Sequence, residues 1–185
     1  LADESTRKTL QLLKEAVPRL RSVTVFSNPG NEAAAPMVRL LRADAVALGM
    51  EAQIVEVSGP ADFEAAFAAM RRARTGSILL PPEPLIRSNR GAIAEFARIQ
   101  ALPLAIVGSG RYLPPSGLMS YGPTTQQYAQ LAARYVDRIL KGAKPGELAV
   151  EQSAKFEFML NLKTAQQLGI ALPPTVLLRA DEVIQ

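Results

Sequence analysis

The 185-residue chain contains no cysteine, no histidine and no tryptophan. Without Cys there are no disulfides and no thiol catalysis. Without His as well, zinc sites built on Cys or His ligands and any Ser-His-Asp triad within this chain are excluded. No apolar run approaches the ~20 residues of a membrane-spanning helix. Both phosphate fingerprints are missing, the G-x-x-x-x-G-K-[ST] loop and the G-x-G-x-x-G turn. The stretch Gly108-Ser109-Gly110-Arg111 has two glycines but no third. The opening "LADESTRKTL" is charged and lacks an initiator Met. A processed or truncated start is expected, and the compartment stays open. The positive excess is only +4, and "RRAR" at 71–74 is its one tight cluster. Placed at the end of a predicted helix, that cluster favours the helix dipole. No basic stripe interleaved with aromatics appears, so no nucleic-acid partner is expected.

Present in quantity are apolar residues, 48% of the chain, with mean hydropathy near zero. That is the composition of a globular protein with a substantial core. Leu10, Leu13 and Val17 recur at helical spacing in 4–17, and Pro18 stops the run. An apolar strand, Val23–Phe26, breaks at Ser-Asn-Pro-Gly-Asn and enters a helix over 31–48, ended by Gly49. A strand at 52–57, a helix at 60–73 and a strand at 77–80 follow. Then come a helix at 86–99, weakened at its start by 87–91, and a strand at 104–107. Strand and helix thus alternate in units of about 25 to 30 residues, the pattern of a three-layer, doubly wound parallel sheet in an α/β fold. "SILL" and "LAIV" read as strands buried on both faces. After 113 the pattern changes. "PPSGLMSYGPT" reads as an extended crossing segment, and 124–141 is the cleanest helix, with Tyr128, Leu131, Tyr135, Val136 and Ile139 on its apolar face. A strand near 156–160 and a short helix at 162–168 precede an irregular end.

Right-handed crossovers bring the turns after the strands to one edge of the sheet. Three converge there, at 27–32, 81–85 and 108–113. In the first, Asn31 is a helix cap, and the free backbone N–H groups beyond it suit an anion such as a carboxylate. Ordinary turn chemistry, with Asn, Pro and Gly ending a strand, accounts for the same residues. In the second turn, Glu83 suits a ligand ammonium, as does Glu32 in the first, or it is simply solvated. A hydrolase with paired carboxylates would need these two acids to face each other. In the third, Arg111 and Tyr112 suit a carboxylate clamp and a flat ligand, or an ordinary surface pair. Ser120 and Tyr121 either line a cleft or shape a hinge.

Several stretches together resemble one family: Asn28-Pro29 after a strand, "ILLPPEPL", "GLMSYGP", "YVDRILKGAKPGEL", "VEQSAKFEFMLNLKTAQQLGIALPP" and "LLRADEVI". They are similar to the solute-binding proteins of ABC transporters, in the branch often linked to aromatic amino acids. The resemblance implies a type I periplasmic-binding fold, uptake of a small solute without catalysis or cofactor, an ABC permease as partner, and a periplasmic or extracytoplasmic location. It also implies that this is the C-terminal portion, after a further lobe. Residues 1–117 would be an α/β lobe, 118–148 a crossing segment and helix packed on the preceding lobe, and 149–185 a return strand, short helix and tail. Ser27, Asn28, Asn31, Pro82, Glu83, Ser109, Arg111 and Tyr121 would contact the solute. Relatives are richer in aromatics before "GLMSYG", where Tyr112 stands alone, so an aromatic ligand is in question. Deprived of its usual partner, the Tyr128/Tyr135 helix face is expected to fold back on its own lobe or to pair with a second copy. A ligand-sensing regulator domain on the same fold is the alternative reading, and an α/β carboxylate hydrolase a third.

Overall fold

The computed structural model describes residues 2–32, 34–151 and 155–185. Its centre is a seven-stranded sheet in the order β2-β1-β3-β4-β5-β6-β7. The strands are Ser22–Ser27 (β1), Glu51–Glu56 (β2), Ile78–Leu80 (β3), Leu104–Val107 (β4), Met119–Pro123 (β5), Phe156–Asn161 (β6) and Glu182–Ile184 (β7). β6 is antiparallel to β5, and the other neighbours run parallel. The helices are Ala2–Ala16 (α1), Ala34–Ala47 (α2), Phe63–Arg72 (α3), Pro84–Ser88 (α4), Arg90–Ile99 (α5), Thr125–Leu140 (α6), Leu162–Gln167 (α7) and Pro174–Leu177 (α8).

Side chains alternate across the central strands with the period of two that a strand imposes. Val23, Val25, Leu79, Ala105, Val107 and Met119 face one core, with Leu10, Leu13, Leu41 and Val176 from the helices above. Phe26, Ile78, Leu80, Leu104 and Ile106 face the other, with α3, α4 and α5. Each face is therefore covered, which gives the three layers expected from the alternation. The second core holds an aromatic cluster in which Phe67 and Phe96 stack at 4.5 Å between centroids and Phe26 meets Phe67 edge-on at 6.4 Å. Burying such a ring contributes about 1.5–3 kcal/mol.

The structure corrects the sequence reading in four places. The helix expected over 86–99 is two helices, α4 and α5, divided at Asn89. The Asn89 side chain donates to the Leu85 carbonyl at 2.8 Å, taking up an acceptor at the end of α4 and competing with helix continuation. Within the stretch expected to cross, Met119–Pro123 is a strand of the sheet, bonded to β4 and β6. The end expected to be irregular contains α8 and β7, and Asp181 accepts from the Phe158 amide at 2.8 Å. Finally, α6 does not fold back on its lobe. None of its residues is buried, and Val136 is 55% and Leu140 82% exposed. Its companion is the segment that follows it: the Tyr135 hydroxyl donates to the Ala149 carbonyl and accepts from the Glu151 amide at 2.9 Å.

Candidate functional site

β1, β3, β4 and β5 are parallel, so their C-terminal ends share one edge. Chain order reverses between β1 and β3, which makes a crevice outside those ends, the usual ligand position in an open α/β sheet. Two of the expected residues meet across it. The Asn28 amide donates to Glu83 Oε1 at 3.2 Å, and Asn28 Oδ1 accepts from the Gly30 amide at 2.9 Å. Glu83 is buried, and its other oxygen accepts from the Ile86 amide at 2.9 Å, capping α4. Pro84 at the first helical position, where no N–H is needed, completes that start. Both Glu83 oxygens are thus engaged inside the protein.

Beside this crevice, along the ends of β4 and β5, lies a cavity of about 470 Å³. Pro82, Arg87, Ser109, Tyr112, Thr125 and Tyr128 line it, with Ser5 at the head of α1. Gly108 forms part of the floor at φ 132°, a conformation that favours glycine. The floor is tight: a Cβ on Gly122 would lie 2.5 Å from Gly108 Cα. Ser109 caps the short 3-10 turn Gly110–Tyr112 by accepting from the Arg111 amide, and so sets where Tyr112 points. The guanidinium carbon of Arg87 lies over the Tyr112 ring, 4.6 Å from its centre.

Of the eight expected residues, Pro82 and Ser109 line the cavity. Asn28 and Glu83 are bonded to each other. Ser27 is buried at the end of β1. The Asn31 backbone closes its turn, accepting from the Ala34 amide at 2.9 Å. Arg111 is exposed and is not part of the cavity lining. Tyr121 stacks on Phe156 at 5.6 Å. Burial pushes its hydroxyl pKa up, Glu4 and Asp181 push the same way, and Arg179 opposes them. Sequence reasoning passed over Arg87. Its signal was the weak helix start at 87–91, where the break at Asn89 leaves Arg87 on a one-turn helix beside the turn after β3. Among the described residues, no group of His, Cys, Asp and Glu could hold a metal ion. No helix among them is long and apolar enough to cross a membrane.

An L-Trp-bound ABC domain from Streptococcus pneumonia superposes with TM-score 0.86 at 20% identity, over 97% of this chain and 62% of that one. A conserved domain protein from Vibrio cholerae gives 0.86 at 26% identity, over 96% and 60%. The ligand-free, open form of a Clostridium difficile substrate binding protein with adhesive properties gives 0.68 at 17% identity, over 96% and 59%. The chain therefore spans about three-fifths of the length of these structures. No curated protein matches it. Residues 2–184 match the family described as ABC transporter substrate binding protein, and the chain belongs to that family.

Proposed function

We propose that this chain forms one wall of a solute-binding cleft in an ABC-type uptake system, holding a small solute without catalysing a reaction. The observation that carries the reading is the cavity at the C-terminal edge of the sheet, which has α6 on its rim and is bordered by polar turns. Its volume falls within the range of small-molecule sites, roughly 300–1,000 Å³. The bare apolar side of α6 supports a second wall: Tyr128, Val136 and Ile139 together form a stripe that a folded protein covers. In the full-length protein a preceding lobe covers it and closes over the solute by hinge motion. An ABC permease receives the loaded protein on the extracytoplasmic side, in the periplasm where there is one. In the isolated chain the same stripe pairs two copies. A carboxylate hydrolase is disfavoured, because both oxygens of Glu83, one of the two acids it requires, are taken by Asn28 and Ile86.

Calorimetry with L-amino acids, on this chain and on the full-length protein, tests the reading. The full-length protein binds, and the isolated chain binds at least tenfold more weakly, about 1.4 kcal/mol. Equal affinities would refute the two-wall account. Light scattering on the same samples separates the covers for α6: a full-length monomer and a dimer of the isolated chain are expected.

A further inference from the structure

We propose that Arg87 receives the carboxylate of an organic-acid solute. This rests on the solute-binding reading above and deepens it. The guanidinium carbon lies over the Tyr112 ring, and the planar fork of N–H donors that a guanidinium carries suits a carboxylate. No Asp or Glu pairs with Arg87 among the described residues. It is also the one charged side chain in the described lining of the cavity.

The surrounding field has the same sign. Arg90 and Arg87 both line a smaller pocket that adjoins the cavity and shares Pro82, Val107 and Tyr112 with it. α6 turns its N-terminus to the rim through Thr125, and helix N-termini favour negative charge. Glu83, the acid of the turn after β3, is spent on Asn28 and Ile86. A carboxylate is therefore stabilised on this wall, and an ammonium finds no acceptor of opposite charge in its described lining.

Three probes of one shape test this by calorimetry on the full-length protein: L-tryptophan, indole-3-propionate, which keeps the acid and lacks the amine, and tryptamine, which keeps the amine and lacks the acid. Benzoate and succinate extend the panel of acids. The expected result is that tryptamine binds at least about tenfold more weakly than indole-3-propionate, as loss of a charge-assisted contact requires. Arg87→Met weakens the acids by a similar factor and leaves tryptamine unchanged. Arg87→Lys, a point charge without the fork, recovers part of the loss. Arg42→Met, exposed on α2 and outside the described cavity lining, serves as the control and changes nothing. Tryptamine binding as tightly as indole-3-propionate, or acid affinities in Arg87→Met within twofold of the wild type, would overturn the proposal. So would a protein that binds other solutes but no acid of the panel. A protein that binds no solute of any class would bring down the solute-binding reading together with it.

Discussion

Replacing Glu83 by alanine should destabilise the protein in a way that separates its two bonds. The residue is 6% exposed and accepts one hydrogen bond from the Ile86 amide and one from the Asn28 side-chain amide. Loss of the helix cap costs about 1 kcal/mol, and loss of the bond to Asn28 about 1 kcal/mol more. For a chain of this size the combined loss of about 2 kcal/mol lowers Tm by roughly 4–8 °C. Glu83→Gln keeps the shape and one acceptor oxygen, so it retains one bond of the two and costs about half as much. Asn28→Ala loses its bond to Glu83 and its bond from the Gly30 amide, again about 2 kcal/mol. Because the Asn28–Glu83 bond is common to both, the double variant costs about 3 kcal/mol, a coupling of about 1 kcal/mol. Thermal unfolding followed by far-ultraviolet circular dichroism measures the four variants against the wild type. A Glu83→Ala shift below about 1 °C would refute the assignment of Glu83 as the brace of the crevice. Strict additivity in the double variant would refute the contact between the two turns.

Two further outcomes are expected. Gly122→Ala places a Cβ 2.5 Å from Gly108 Cα, where only backbone can yield. It costs about 1–3 kcal/mol and displaces the cavity floor, so both Tm and solute affinity fall; an unchanged Tm would show that the two strand ends are not so close. Tyr121 has its pKa raised by burial and by Glu4 and Asp181. Its neutral form is therefore the one the fold favours: its contribution is complete below the unfolded value of about 10 and is lost as pH rises through the folded value. Phenolate absorbance against pH shows a late component that Tyr121→Phe removes, and persistence of that component in the variant would assign it to another tyrosine.

The buried parallel strands β1, β3 and β4 are legible because their apolar runs are bounded by turn residues and helical spacing separates them. β5 is not, since "MSYGP" carries a glycine and a proline and resembles a linker. Its strand character comes from neighbours on both sides, which the sequence does not show. β7 is three residues long and borrows its geometry from β6. At the site, topology alone places the three turns on one edge, and the Asn28–Glu83 bond joins two of them. Arg111, beside Tyr112 in the third turn, reads as a carboxylate clamp, yet Arg87 is the arginine in the described cavity lining. Its contact with Tyr112 spans two separate βα turns and depends on the break at Asn89. The stacking of Tyr121 on Phe156 is not visible in the sequence, because it joins diagonal neighbours on β5 and β6 and depends on the sheet register.

The pairing of Pro123 with Phe156 also has a mechanical consequence. The chain leaves the sheet at the first of these residues and returns at the second, so α6 starts beside the place where the return strand begins. α6 has 16 residues, which makes it a lever of about 24 Å. A tilt of about 10° at that start sweeps its far end through about 4 Å, while Thr125, at the fulcrum, hardly moves relative to the cavity floor.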